Sequence, residues 1–348
     1  TCRRDWRRWQ RSHEGTTAGW LCGGVAGVLT ALAVIGLAVS LDLLVGEPPT
    51  PAHPVAWFGR LVGALDRDWS ESERGQRLAG VGIAALAPLV AAVVAAGVVF
   101  AATAVHPMVG GVVAAVVLFL TISIRSLLEL TQTVVAATDG DLADARTQVR
   151  GLVGRDASTL SAAELRSAAV ESAAENLADG LVAALLPFAV LAPISLPAAA
   201  AVAAWVKGVN TLDSMLGYPS KPVGTASARV DDLVMYLPAR ISAAAIAIAA
   251  VDPAALVSAR AWSRVPPSPN SGWPMATIAC ALASRLEKPD VYTLNPDADL
   301  PTLADGERAV SLVGRAAGVS IVIAAVLVAL VSTGLGLESS MLAEVFLP

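Results

Sequence analysis

The amino-acid sequence predicts an all-α, polytopic integral membrane protein with proline-broken or re-entrant helices and water-facing helical loops. Of its 348 residues, 55% are hydrophobic and only 15% are charged, whereas an average soluble domain carries about 25% charged residues. Aromatic residues contribute 5%, so most of the hydrophobic excess is aliphatic, which is typical of helices packed closely in lipid. Several charge-free stretches approach or exceed the roughly 20 residues that a helix needs to cross about 30 Å of hydrocarbon.

Composition and missing motifs exclude several classes of protein. The formal net charge of −5 argues against nucleic-acid binding, which requires a basic face. The cysteines Cys2, Cys22 and Cys280 are scattered and form no CxxC or Cys/His cluster, so we expect no disulfide framework, zinc site or thiol nucleophile. The sequence also lacks a GxxxxGK(S/T) phosphate loop, an HExxH helix and a GxSxG nucleophile turn.

The predicted domain organisation has three parts. Residues 1–20 form a basic lead-in, residues 21–340 a single membrane-embedded domain, and residues 341–348 a tail. We interpret residues 19–44 as a retained membrane anchor, because this apolar run is too long for a signal peptide and has no convincing cleavage site.

Apolar runs predict the membrane segments. The run at 180–206 contains three prolines, and the run at 233–251 contains Pro238 and Arg240, so each predicts either a spanning helix or a re-entrant pair of short helices. The other four predict spanning helices, with a turn at His106 and Pro107 between two of them. The six runs are 15–41, 78–105, 108–124, 180–206, 233–251 and 316–337.

The intervening segments 45–77, 125–180, 205–232 and 252–312 are expected to face the cytoplasm. Residues 125–179 are predicted to be helical and water-facing, with a break at 151–156, and Ser161 with Glu164 has the pattern of a capping box. Residues 252–312 are predicted to form a long loop region.

The charge distribution gives conflicting indications of topology. Five arginines among the first eleven residues favour a cytoplasmic N-terminus. The arginines of 45–77 and 125–179 favour the cytoplasm for these loops too. If the first segment crosses the membrane once, however, it places the N-terminus and the 45–77 loop on opposite sides. We place the motif-bearing loops in the cytoplasm, as in a multi-pass protein of the cell inner membrane, and leave the orientation of the first segment open.

Three polar segments border the apolar runs and are the strongest candidates for function. They are the first polar segment, residues 171–180 (ESAAENLADG), the second, residues 207–218 (KGVNTLDSMLGY), and the third, residues 228–240 (ARVDDLVMYLPAR). Uncompensated charge is costly at the edge of hydrocarbon, so these groups should pair with each other or with a charged ligand.

The first polar segment places Glu171, Glu175 and Asp179 on one helical face, at spacing i, i+4 and i+8. Like charges so arranged destabilise a helix by a few tenths of a kcal/mol per pair. A divalent cation would explain the arrangement, and Mg²⁺ prefers carboxylate oxygens together with substrate phosphates. The alternative is a solvated acidic face.

The second polar segment places Lys207, Asn210 and Asp213 about one turn apart, directly after the proline-broken run. If that run doubles back, these residues return to the first polar segment, where together they could orient phosphate and metal. The alternative is a lysine that snorkels to the membrane surface, with helix capping by Asn210 or Asp213.

Other candidates have a structural interpretation beside the functional one, and for His53 and the PPSPNSGWP segment the structural one is the default. Asp231 and Asp232 lie between Arg229 and Arg240 and could form structural salt bridges. His53, before a proline, could be a ligand, a base or a simple hydrogen-bonding group. The segment PPSPNSGWP predicts a rigid turn in which Ser268 and Asn270 offer hydrogen bonds.

Taken together, these segments resemble the CobD/CbiB family, the membrane adenosylcobinamide-phosphate synthases of cobalamin biosynthesis. The resemblance runs in order from about residue 41 to 283 through DLLVGEPP, HPVAWFGRL, VGRDASTLS, AVESAAENLADG, KGVNTLDSMLGY, ARVDDLVMYLPAR and PSPNSGWP. The sequence departs from the family at Pro267, usually His, at Met275, usually Glu, and at Ala184 and Leu185, usually Ala-Pro.

The resemblance implies an acid–amine ligase that uses ATP and Mg²⁺. It would join adenosylcobyric acid to aminopropanol phosphate, or a related amino alcohol phosphate, and so form adenosylcobinamide phosphate, with the carboxylate activated as an acyl phosphate. It implies Mg²⁺ ligation and catalysis by Glu171, Glu175, Asp179 and Asp213. The substrate- and phosphate-binding residues would be His53, Asn176, Lys207, Asn210, Arg229, Asp231, Asp232, Arg240, Ser268 and Asn270.

The expected partners are the corrinoid, the amino alcohol phosphate and membrane lipid, with no nucleic acid. Homo-oligomerisation and association with later cobalamin-pathway enzymes stay open. The competing hypothesis is a non-catalytic membrane sensor or transporter on a related scaffold. A transporter would place its charges in the middle of the spans, whereas here they cluster at segment ends.

Overall fold

The computed structural model describes residues 27–152 and 157–346, and within them it is almost entirely helical. The described residues contain 14 α-helices, a π-helical turn at Ala178–Val182 and one two-stranded antiparallel hairpin. The helices are α1 Gly27–Val45, α2 Pro54–Leu65, α3 Glu73–Val105, α4 Pro107–Phe119, α5 Ile124–Ala137, α6 Leu142–Gln148, α7 Ala162–Leu177, α8 Ala183–Leu191, α9 Leu196–Leu216, α10 Thr225–Val234, α11 Tyr236–Ala250, α12 Pro253–Ala259, α13 Gly272–Leu282 and α14 Leu303–Phe346. The strands are β1 Leu286–Lys288 and β2 Tyr292–Leu294.

Five helical stretches among the described residues are long and apolar enough to cross a membrane. They are Gly27–Val45, Glu73–Val105, Pro107–Ala137, Ala162–Leu191 and Leu303–Gly334, and the bent pair α10–α11 makes a sixth if it counts as one span. The all-α, polytopic prediction is therefore confirmed. The lead-in 1–20, the first part of the anchor, most of the 151–156 break and the end of the tail lie outside the described residues.

Helix α7 corrects one expectation. The sequence predicted a water-facing helix, but most α7 side chains are buried, and α5, α11, α13 and α14 pack around it. Its many alanines and serines explain this, because small side chains let neighbouring helices approach on every side. The predicted capping box is confirmed: the Ser161 Oγ accepts the Glu164 N–H at 3.3 Å, and the Glu164 Oε2 accepts the Ser161 N–H at 2.7 Å.

The proline-broken run at 180–206 is a helical hairpin. Helix α7 continues through the π turn into α8, the chain reverses at residues 192–195, and α9 returns along α8. Ser195 caps the start of α9, with its Oγ accepting the Ala198 N–H at 3.4 Å. This reversal confirms the expected doubling back and places the first two polar segments side by side.

The third polar segment contains a bend between α10 and α11 rather than a break at its proline. The two helices meet at Met235 with a bend of 47°. Pro238 lies in the first turn of α11, where the amide hydrogen that proline lacks has no intrahelical partner to lose.

Residues 252–312 are more regular than the predicted loop. They contain α12, α13, the β1–β2 hairpin and the start of α14, and the hairpin pairs Leu286 with Leu294 and Lys288 with Tyr292. The prediction of a long loop was wrong because the elements are short: α12 has 7 residues, α13 has 11 and each strand has 3, too few to show a clear period.

Candidate functional site

The first two polar segments meet beside the π turn. The side-chain amide of Asn210, on α9, donates to the Asp179 Oδ2 at 3.2 Å. Lys207 lies one turn earlier on α9, close enough for an electrostatic interaction with Asp179. The alternative in which Asn210 and Asp213 cap a helix is wrong, because α9 runs from Leu196 to Leu216 and contains both residues.

Glu171 is buried and bound to the hairpin. Only 4% of the surface of Glu171 is exposed. The Tyr292 hydroxyl donates to Glu171 Oε2 at 3.2 Å, and the Ser167 Oγ lies 3.5 Å from Oε1. Ser167 also accepts the backbone N–H of Glu287, in β1, at 2.8 Å. A solvated acidic face is therefore wrong for Glu171, whose contacts fasten the hairpin to α7.

Glu175 has a different environment from Glu171, although both lie on α7. It is half-buried, and no hydrogen bond to it is made within the described parts of the chain. The charges that act on it are those of Asp179, Glu171, Lys288 and Asp213, of which only Lys288 is positive. Glu175 is therefore a carboxylate that lies near other carboxylates and has no hydrogen-bond donor within the described parts of the chain.

Burial shifts the ionisation of the two charged groups of α9. It lowers the pKa of Lys207, while the carboxylates of Asp179 and Glu47 act in the opposite direction. Burial, and then the charge of Asp232, raise the pKa of Asp213. Both effects oppose the charged form of the side chain, and a bound ion of opposite sign would favour that charged form.

The aspartates of α10 complete the acidic part of the site. The Asp231 Oδ1 is buried and has no hydrogen-bond partner among the described residues, and the charges of Asp179, Asp213 and Asp232 act on Asp231. The structural alternative, salt bridges to Arg229 and Arg240, does not form among the described residues. Arg229 is instead exposed.

Arg240 and Asn270 connect the PSPN turn, residues 267–270, to the bend between α10 and α11. The Arg240 Nη1 donates to the Asn270 Oδ1 at 2.9 Å, and the Asn270 Nδ2 donates to the Asp232 backbone carbonyl at 2.7 Å. The guanidinium group lies 3.6 Å from the centre of the Tyr236 ring. The Ser268 Oγ accepts the Asn270 N–H at 3.2 Å. These contacts hold the turn beside the acidic groups and occupy most of its polar atoms.

His53 and Asn176 both make local hydrogen bonds. The Nδ1 of His53 accepts the Val55 N–H at 3.1 Å and so caps α2. Burial lowers the pKa of His53, and the charges of Glu47 and Lys207 reach it, so the α1–α2 connection borders the same site. Asn176 donates to the Ser172 carbonyl at 2.9 Å and the Ser172 Oγ at 3.0 Å, within its own helix.

The structure adds three residues that the sequence reasoning missed. Tyr292 and Lys288 come from the hairpin, whose strands gave no pattern. Asp42, near the end of α1, is fully buried and bonded to the start of α5. A carboxylate at the end of an apolar run was a usable signal, because such a group must be compensated.

The donors suit a metal ion that is shared with a substrate. Among the described residues, no group of three histidine, cysteine or carboxylate side chains forms a ready-made cation cage. Mg²⁺ is usually bound through one or two carboxylates together with water and substrate phosphates. The uncommitted Glu175 and the unpartnered Asp231 oxygen fit that mode of binding.

The fold and the site define a class: a polytopic helical membrane protein with a partly buried acidic site where helical hairpins meet. A model of the CobD/CbiB protein family matches residues 35–320 of the chain. The chain belongs to this family.

Individual relatives agree with the family match. The cobalamin biosynthesis protein CobD of Geobacter metallireducens is 38% identical over 285 residues, covering 78% of this chain and 86% of that protein. CobD of Rhodobacter capsulatus is 36% identical over 318 residues, covering 85% and 97%. The cobalamin biosynthesis protein CbiB of Salmonella typhi is 34% identical over 288 residues, covering 78% and 86%. No solved structure matches the chain.

Proposed function

We propose that this protein acts in cobalamin biosynthesis as an amide-forming ligase. It would join a propionate carboxylate of adenosylcobyric acid to the amine of aminopropanol phosphate, or a related amino alcohol phosphate, with consumption of ATP. Family membership and the names of the relatives support the pathway. The observation that carries the reaction is the convergence of carboxylates from α7, the π turn, α9 and α10 with Lys207 and Asn210.

The proposed chemistry makes particular demands on a binding site. A carboxylate is a poor electrophile, so its oxygen first takes a phosphoryl group from ATP, and the amine then displaces phosphate from the activated carbon. The protein has to bring anionic groups together and stabilise their charge. Mg²⁺, when bound, supplies positive charge to the phosphate oxygens.

The residues of the site suit these demands in different ways. Glu175 and Asp231 would bind the metal together with phosphate oxygens of the substrate. Asp179 and Asp213 lie close enough for their charges to act on both carboxylates. Asn210 fixes the Asp179 oxygen through the 3.2 Å hydrogen bond. Lys207 would bind phosphate, whose negative charge favours the protonated form of the lysine. Such a site would face the cytoplasm, where ATP is found.

The roles proposed for the other polar residues differ with their contacts. Glu171 would act through Tyr292 and the hairpin, because its oxygens already have hydrogen-bond donors. Arg240 and Asn270 would support the α10–α11 bend beside Asp232. His53 would border the substrate from the α1–α2 connection.

The test is a mass-spectrometric assay with purified protein in detergent. Adenosylcobyric acid, aminopropanol phosphate, ATP and Mg²⁺ are supplied together, and each is omitted in turn. We expect the amide product only with all four. Glu175→Gln and Asp213→Asn should abolish it, while Glu73→Gln, at an exposed residue of α3 paired with Arg77, should not. Folded protein that gives no product and binds neither nucleotide nor corrinoid would instead favour a sensor or transporter.

A further inference from the structure

Asp42 is a buried carboxylate that the proposed reaction does not use. It lies in α1, is 0% exposed, and its Oδ2 accepts the backbone N–H groups of Ile124 at 3.1 Å and Arg125 at 3.0 Å. Its Oδ1 is buried without a hydrogen-bond partner among the described residues. A buried charge in an apolar helix is costly, so its placement requires a compensating role.

That role is to cap α5 from another helix. The residue at the N-cap position of α5 is Ser123, but its side chain accepts no capping hydrogen bond. The Asp42 carboxylate takes over this function for the first two residues of α5, where the helix dipole also favours a negative charge. The interaction spans 82 residues of sequence, so it fixes α1 against the start of α5.

The start of α5 in turn contacts the π turn. The Ser123 N–H donates to the Gly180 carbonyl at 2.9 Å. The two segments approach so closely that a methyl group on Gly180 would lie 2.9 Å from the Ser123 Oγ. Gly180 directly follows Asp179, the residue that binds Asn210 across the helical hairpin. A continuous set of contacts therefore runs from Asp42 to the acidic site.

We propose that Asp42 is a positioning residue for the site. By capping α5 it holds Ser123 against the Gly180 carbonyl, and this contact fixes the π turn that directs Asp179 towards Asn210. The effect on catalysis rests on the proposed ligase function, whereas the structural link does not.

The test compares Asp42→Ala with Asp42→Asn in the full-length protein in detergent. Asn keeps an oxygen that can accept both N–H groups, whereas Ala removes it. The control is Asp141→Ala, because Asp141 also caps a helix by accepting two N–H groups, those of Ala143 at 2.8 Å and Asp144 at 3.4 Å at the start of α6. Hydrogen–deuterium exchange reports on residues 123–125 and 178–182, and ligation kinetics report on the site.

For Asp42→Ala we expect exchange at least about 10-fold faster in both segments, since loss of a charged acceptor leaves buried N–H groups unpaired. The kcat should fall by about 10-fold with the KM for ATP changed less than about twofold, because alignment rather than binding is lost. Asp42→Asn should restore both quantities, and Asp141→Ala should affect only the exchange of α6.

Three results would overturn the proposal. One is faster exchange at 123–125 with no change at 178–182. Another is an Asp42→Asn protein as impaired as Asp42→Ala, which would make the charge rather than the cap responsible. The third is an equal loss of kcat in Asp141→Ala. If wild-type protein gives no ligation, the proposed function fails, and the exchange data alone decide the structural link.

A second variant covers the case in which Asp42→Ala does not fold. Gly180→Ala leaves the cap intact but places a methyl group against the Ser123 Oγ. We expect it to lower kcat, and Ser123→Gly in the same protein to recover part of the loss. An unchanged kcat in Gly180→Ala would contradict the contact between α5 and the π turn as a determinant of the site.

Discussion

Replacing Tyr292 with phenylalanine removes one hydroxyl group and keeps the ring. That hydroxyl donates to Glu171 Oε2 at 3.2 Å, and Glu171 is only 4% exposed, so water has little access to replace the donor. A hydrogen bond to a charged group contributes about 1.5–3 kcal/mol. Because 3.2 Å is long for a hydroxyl donor, we expect a loss near the lower end, about 1.5 kcal/mol, or about a 10-fold change in the folding equilibrium.

The loss is measured as the free energy of unfolding in mixed detergent and SDS micelles. Tyr218→Phe is the matched control, because Tyr218 is 50% exposed and should lose almost nothing. A double-mutant cycle with Glu171→Met, which removes the acceptor, isolates the contact, since the two changes should be less costly together than their sum. Strict additivity, or a Tyr292→Phe protein as stable as wild type, would refute the conclusion that Glu171 fastens the hairpin.

Three further predictions concern residues around the site. Ser161→Ala should lower the free energy of unfolding by about 1 kcal/mol through loss of the capping box, while Ser161→Thr, which keeps the acceptor, should not. Burial lowers the pKa of His53, so the unfolded chain binds the proton more readily and stability rises with pH; the contribution should be complete above about pH 6.5 and be lost as pH falls through the folded pKa. His53→Asn, which retains a capping acceptor, should remove this dependence in unfolding measured from pH 7.5 to 5. Arg240→Lys should cost about 1 kcal/mol, because lysine loses the planar contact with Tyr236 and the fixed geometry towards Asn270, whereas Arg229→Lys at an exposed position should be neutral in the same assay.

The pairing of the first two polar segments could be predicted from the sequence. Both border the same proline-broken apolar run, so a reversal within that run brings Asp179 and Asn210 together, across only 31 residues of sequence. The capping box of α7 could be predicted too, since its signal is contained in Ser161 and Glu164. Periodicity and spacing are local, and local patterns suffice where the contact is made by neighbouring elements.

Contacts between distant elements could not be predicted in this way. Tyr292 reaches Glu171 across 121 residues, from a strand too short to show a period. The position of Asp42 at the end of an apolar run shows that it needs compensation, but its partners are backbone N–H groups of α5, which no sequence motif marks. The burial of α7 was also missed, because no local pattern shows that its small side chains allow neighbouring helices to surround it.

Helix α7, the π turn and α8 form one continuous helix, and its length indicates how deep in a membrane the site lies. Glu171 lies about 20 residues before Leu191, which corresponds to about 30 Å of helix axis, the same as a hydrocarbon core of about 30 Å. With the 192–195 reversal at one edge of that core, Glu171 lies at the opposite edge and Asp179 about 12 Å below it. On this placement Glu175 and Asp179 lie within the depth of the hydrocarbon core, not at a segment end as the sequence suggested. We therefore expect a change in lipid chain length to alter the hydration of Glu175 without any change in sequence.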